Sequence, residues 1–298
     1  MVFKRIGKAV IMGLICSVLV LSGQMNAAAQ KDDVINEKLG VPIVVYGETL
    51  TNEQKDEVRK LLEVTNPENV DEITVTAQDL ARLIGGNPKS RMFSSAKITV
   101  KEKGNGLVVS IVTPENITEV TSEMYSNALL TAGVENANVD VASPVKVTGH
   151  SALVGIYKAY ESKGEVLDKD RMEVANEELS LATELANKEG LNDEKVTELL
   201  TEIKKMIAEQ NPATREDVEQ IVEEQLNKMN IELSEKDRQL LIDLFDKMRS
   251  LEIDFDGVKK QLEDIKGKLE EVVGDEGFWD KVANFFQKIA DFFRNLFK

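Results

Sequence analysis

The sequence predicts an α+β protein: a small N-terminal sheet with helices, then an acidic all-helical segment and a C-terminal amphipathic helix. Three observations carry this. Short β-branched runs separated by Gly- and Asn-containing turns fill the stretch from about residue 43 to 147. A helical apolar period with regular caps takes over from about 152. Charge also divides the chain. The formal net charge is −16 over 298 residues; residues 30–160 carry −5, residues 161–276 carry −16 and residues 277–298 carry +2.

The first residues form three zones. Lys4, Arg5 and Lys8 are cationic, Ala9 to Leu21 is a 13-residue apolar run broken only by Gly13 and Ser17, and Ala27-Ala28-Ala29 supplies small residues for cleavage before Gln30. This is the pattern of an export signal, so the expected location is secreted or extracellular, with association to the cell surface. The apolar run is short for a bilayer-spanning anchor. A lipoprotein would need Cys16 as its modified residue, but bulky Ile15 precedes it and the apolar run continues past it.

Cys16 is the single cysteine and leaves with the signal, so the remaining chain is expected to hold no disulfide, thiolate metal site or cysteine nucleophile. His150 is the single histidine, which excludes metal sites built from several imidazoles. No cofactor is indicated. The acidic balance argues against nucleic acid as a partner.

After the signal (1–29), residues 30–163 read as the α+β domain. Ile43 to Tyr46 is a short strand. Thr51 with Gln54 forms a capping box that opens a helix burying Val58, Leu61 and Leu62. Thr76 with Asp79 starts a second helix, ended by Gly85-Gly86 and Pro88. Ala96 to Lys101 and Leu107 to Val112 are strands around Gly104-Asn105-Gly106, which predicts a hairpin because both turn residues tolerate positive φ. Asn116 is expected to cap a helix carrying Ile117, Val120, Met124 and Ala128 on one face and closed by Gly133. Strands at Ala137 to Val141 and Val145 to Val147 and a helix over about 152–161 complete the domain, with its helices on one side of the sheet. Residues 164–276 read as an acidic helical domain, with helices at about 168–188, 193–209, 215–229, 235–250 and 257–272. Asn192, Thr214 and Ser234 are the caps of the second, third and fourth.

Several segments of the first domain resemble a known family. They are Val112-Thr-Pro-Glu-Asn-Ile-Thr118, Met124-Tyr-Ser-Asn-Ala128, Thr131-Ala-Gly-Val134, Val141-Ala-Ser-Pro144 and Thr148-Gly-His-Ser-Ala-Leu-Val-Gly-Ile-Tyr-Lys-Ala-Tyr-Glu161. Together they resemble the YpuA-like family of exported Firmicute proteins, a domain of unknown function. The match is specific over 40–162 and looser in the helical part. The resemblance implies an exported or envelope protein of a Gram-positive type of cell, and it implies no activity and no catalytic residues.

Three places invite a functional reading. Gly149-His150-Ser151-Ala152-Leu153 sits where strand turns into helix, the setting of a nucleophile elbow and of an envelope hydrolase using Ser151, with Lys158 as the base of a Ser-Lys arrangement; His150 lies directly beside the serine, whereas a triad brings its base from elsewhere. Leu153 stands where the motif wants Gly, and the alternative is that Ser151 caps the helix. Glu252, Asp254, Asp256, Gly257 and Glu263 nearly match a calcium loop. Lys259 and Lys260 oppose a cation there, and the alternative is a helix–helix turn. The third place is the terminal helix, residues 277–298. Phe278, Trp279, Phe285, Phe286, Phe292 and Phe293 recur at helical spacing, with Lys281, Lys288, Arg294 and Lys298 among the polar positions. A membrane interface, a protein partner and the protein's own surface or a second copy are the surfaces such a face fits. The composite expectation is a non-catalytic binding protein of the envelope whose ligand or protein partner is unspecified.

Overall fold

The computed structural model describes residues 39–188, 190–251 and 253–263. The export signal, Glu252 and the aromatic positions of 277–298 lie outside the described residues.

Five strands form one sheet in the order β2-β1-β3-β5-β4, with β1 Ile43–Gly47, β2 Asp71–Val75, β3 Ser95–Val100, β4 Leu107–Ile111 and β5 Ala137–Ala142. The β1–β2 and β4–β5 pairs are parallel, and β3 is antiparallel to both β1 and β5. Four strands therefore share one direction and β3 alone opposes them. Strand β2 was not expected from the sequence. Its charged start, Asp71-Glu72, masks an edge strand whose inner end, Val75, is buried.

The β3–β4 hairpin does not form, because β5 lies between the two strands. Gly104 (φ +93°) and Gly106 (φ +72°) do make a turn. That turn is anchored to the start of β5: Asn136 Oδ1 accepts from Gly104 N at 2.7 Å and from Gly106 N at 3.2 Å. The turn chemistry was legible, whereas the partner it selects is 30 residues away.

Among the described residues the helices are α1 Asn52–Leu61, α2 Ala77–Ile84, α3 Ser122–Ala132, α4 Ser151–Ser162, α5 Lys169–Ala186, α6 Asp193–Gln210, α7 Arg215–Lys228 and α8 Glu235–Ser250; residues 255–263 are also helical. The capping boxes at Thr51–Gln54, Thr76–Asp79 and Thr214–Asp217 are all present. Asn192 and Ser234 accept from the N3 amides of α6 and α8. Asn116 is not a cap. Its Nδ2 donates to Ser143 O at 2.8 Å, and Thr121 caps α3 instead. The extra turn from Pro114 lets Ile117 bridge Val147 in parallel, so the chain becomes helical only at Ser122.

Helices cover both faces of the sheet, not one. Ile43, Val45, Ile98, Val139 and Val141 point to the face covered by α3 and α4, whereas Val44 and Tyr46 pack with Val58 and Leu62 of α1 on the other. This explains why every residue of β1 is buried. The apolar core on the first face continues without a break into the helical part. It runs from Ile43 to Leu262, with α5 on α3, α6 and α8 on α5, and α7 on α6 and α8.

Candidate functional site

Because β1, β2, β4 and β5 run the same way, the segments that follow them gather at one end of the sheet, where α1 to α4 begin. The carboxyl end of such strands is where open α/β sheets place ligands. Two of the segments, 112–121 and 142–151, include 14 of the 34 residues quoted for the family resemblance. They are stitched together. Ser143 N donates to Thr113 Oγ1 at 2.9 Å, Val147 N to Asn116 O at 2.8 Å and Thr118 N to Val147 O at 2.9 Å. The buried hydroxyl of Tyr125 donates to Gly149 O at 2.6 Å. Gly149 has φ +109°, and a Cβ there would lie 2.8 Å from Ile117 Cγ2 and 2.9 Å from Tyr125 Oη. Glycine is required before His150 by this close approach.

Ser151 does not cap α4. It is the first helical residue, and His150 stands at the N-cap with helical φ and ψ and no side-chain cap bond. The imidazole turns toward α5: Nε2 is 3.2 Å from Thr183 Oγ1 and Nδ1 is 3.3 Å from Thr148 Oγ1. Thr183 Oγ1 also lies 3.0 Å from Ser180 O, so the threonine hydroxyl links the imidazole to the backbone of α5. Burial holds the imidazole pKa below its ordinary value, against the pull of Glu119. Lys158, the base of the Ser-Lys alternative, is hydrogen-bonded to Asp79, which Arg82 also meets at 3.1 Å. Burial pushes the Asp79 carboxyl up, but hydrogen bonds from Lys158, Thr76 and Arg82 outweigh it and hold the pKa at about 2. Lys158 is therefore engaged with Asp79 of α2, and His150 with Thr183 of α5, so each ties α4 to a neighbouring helix.

In the 252–263 stretch, Asp254 Oδ1 accepts from Gly257 N at 3.0 Å and its carbonyl from Val258 N at 2.9 Å, which places it at the start of the last described helix. Lys259 Nζ reaches Glu209 at 2.6 Å, and Asp256 and Glu263 are exposed. Among the described residues no group of three or more His, Cys, Asp or Glu side chains is arranged to hold a metal ion. No described helix is long and apolar enough to cross a membrane.

Sequence reasoning missed one cluster altogether. Lys204 of α6 and Glu178 of α5 are each 1 % exposed and form an ion pair at 2.5 Å. Lys204 Nζ also donates to Thr131 Oγ1 at 2.9 Å and Asn127 O at 3.1 Å, while Thr131 Oγ1 donates to Glu178 Oε2 at 2.6 Å. The network joins α3, α5 and α6 inside the core. Desolvation lowers the Lys204 pKa, and Glu178 opposes the shift. Tyr157 lies near enough for Glu178 to add to the upward shift that burial gives its hydroxyl. A signal was present: Lys204 falls on the apolar stripe of α6 with Leu200 and Ile207, and Glu178 on that of α5 with Ala175 and Ala182.

The family model for a protein of unknown function, DUF1002, matches residues 46–265. The chain belongs to this family. The matched span takes in both the sheet and helices α5 to α8, so the family unit includes the helical part where the motif resemblance was looser. The chain is also 35 % identical over 278 residues to the "Uncharacterized protein YpuA" of Bacillus subtilis (strain 168), covering 90 % of this chain and 93 % of that one. No solved structure matches.

Proposed function

We propose that this family member is an exported, non-catalytic contact protein that holds itself at the envelope surface through residues 277–298. The observation that carries the reading is the placement of apolar surface. Within the described body the exposed large hydrophobics are Val108, Val112 and Val166. Seven of the chain's 15 aromatic residues, including the single Trp, fall in the last 22 positions. A body that covers its own core offers little to an aromatic helical face, so that face has an external surface as its natural partner. Four cations against two acids in the same stretch suit anionic lipid, while the acidic body stays in water. The test is retention on intact cells. Phe285→Glu with Phe292→Glu should release the protein into the medium with its melting temperature unchanged. A double variant that stays on the cell, or that melts early, contradicts the reading.

A further inference from the structure

The two edges of the sheet are built differently. Edge strands usually carry charge, proline or a bulge, which discourages pairing with another chain. Strand β2 follows that rule, opening with Asp71-Glu72. Strand β4 at the other edge reads Leu-Val-Val-Ser-Ile, without charge or proline. Val112 N donates to Val141 O, so residues 108, 110 and 112 direct their amides to β5. The alternate residues 107, 109 and 111 face outward. Among the described residues, Leu107 N alone of these is taken, by Gln261 Oε1 at 3.1 Å, which closes the amino end of the strand. Val108 (43 % exposed) and Val112 (38 %) flank this edge on the face that α1 leaves uncovered.

We propose that β4 is a strand-pairing edge that joins two copies of this chain, antiparallel and centred on Val109. The register is self-complementary. Residues with outward-facing backbone groups fall opposite one another, Val109 facing Val109 and Leu107 facing Ile111 of the second copy, and Val108 faces Ser110. Charge selects the partner. A β2–β2 contact would bring carboxylates together in a chain of net charge −16, whereas a β4–β4 contact apposes no charged side chain within the strand. The two sheets then run on as one. A contact of so few residues makes a weak dimer that forms and dissolves with concentration.

The test uses the secreted chain, residues 30–298, in sedimentation velocity across the micromolar range. The parent should pass from monomer to dimer as concentration rises. Val108→Lys with Ser110→Lys puts like charges across the dyad and should abolish the dimer, as should Val108→Glu with Ser110→Glu. Both positions are exposed, so each variant should melt with the parent. An equal mixture of the two should dimerise again, because the opposed charges then face each other. A parent that stays monomeric overturns the proposal and leaves the edge to an extended segment of another protein. So does a dimer that persists in both variants, which places the contact elsewhere, or two folded variants that fail to recombine. Amide exchange supplies an independent reading. Val109 and Ile111 should exchange fast at low concentration and become protected at high concentration; protection already present in the monomer means the chain covers its own edge, and the proposal fails.

Discussion

Replacing Lys204 with Met tests whether the buried ion pair is a coupled unit. Met preserves most of the side-chain length, so the cavity contribution is small. What remains is a carboxylate that is 1 % exposed and has lost its cation, with the Thr131 hydroxyl at 2.6 Å as its remaining donor. Removing one partner of a buried pair costs about 3–5 kcal/mol. Glu178→Leu strands the ammonium and should cost a similar amount. The double variant removes both desolvated charges and should return to within about 1–2 kcal/mol of the parent, the residue being the hydrogen bonds that Asn127 O and Thr131 lose. Urea unfolding of the parent, both single variants and the double variant gives the coupling directly. Additive losses, with the double variant the least stable of the four, would refute the reasoning.

Other outcomes follow from the carboxyl-end segments. Because burial lowers the folded-state pKa of His150, the unfolded chain binds its proton more tightly. The His150 contribution is therefore complete above about pH 6.5 and is lost as pH falls from there through the folded pKa; His150→Gln should flatten that part of the stability profile, and an unchanged slope contradicts it. Gly149→Ala forces a side chain into φ +109° and against Ile117 and Tyr125, so a drop of roughly 2 kcal/mol or more is expected in thermal melts. Ser151→Ala should cost less than about 0.5 kcal/mol, since Ser151 caps nothing, whereas Thr121→Ala should cost about 1 kcal/mol by removing the hydroxyl that accepts from Met124 N. Equal losses at the two positions would show the cap to be misplaced.

What the sequence made legible was local chemistry. Helices α5 to α8 could be placed because each start is written in a few adjacent residues, as at Asn192, Thr214-Asp217 and Ser234-Asp237, and each apolar stripe repeats within its own helix. What stayed hidden was non-local. Gly104-Asn105-Gly106 announces a turn, but only the Asn136 side chain and the insertion of β5 decide that the flanking strands do not pair. Asn116 has the cap residue type, yet its amide serves Ser143, 27 residues on. The Lys204–Glu178 pair was passed over because charged residues on helices are ordinarily solvated; its position within two apolar stripes was the usable clue. His150 and Ser151 drew attention as neighbours in sequence, whereas the fold sends the imidazole to Thr183 of α5.

The central proposal is that residues 277–298 seat on a lipid surface, and vesicle co-sedimentation of residues 30–298 measures it most directly. Burial of a Phe side chain contributes roughly 1.5–3 kcal/mol, so several together should bind anionic vesicles at low salt even after the cost of ordering. Binding should weaken as salt rises, because the cationic side chains contribute part of it. Phe285→Glu with Phe292→Glu should lower the bound fraction by about tenfold or more while the melting temperature holds. A parent chain that leaves anionic vesicles unbound at low salt contradicts the account.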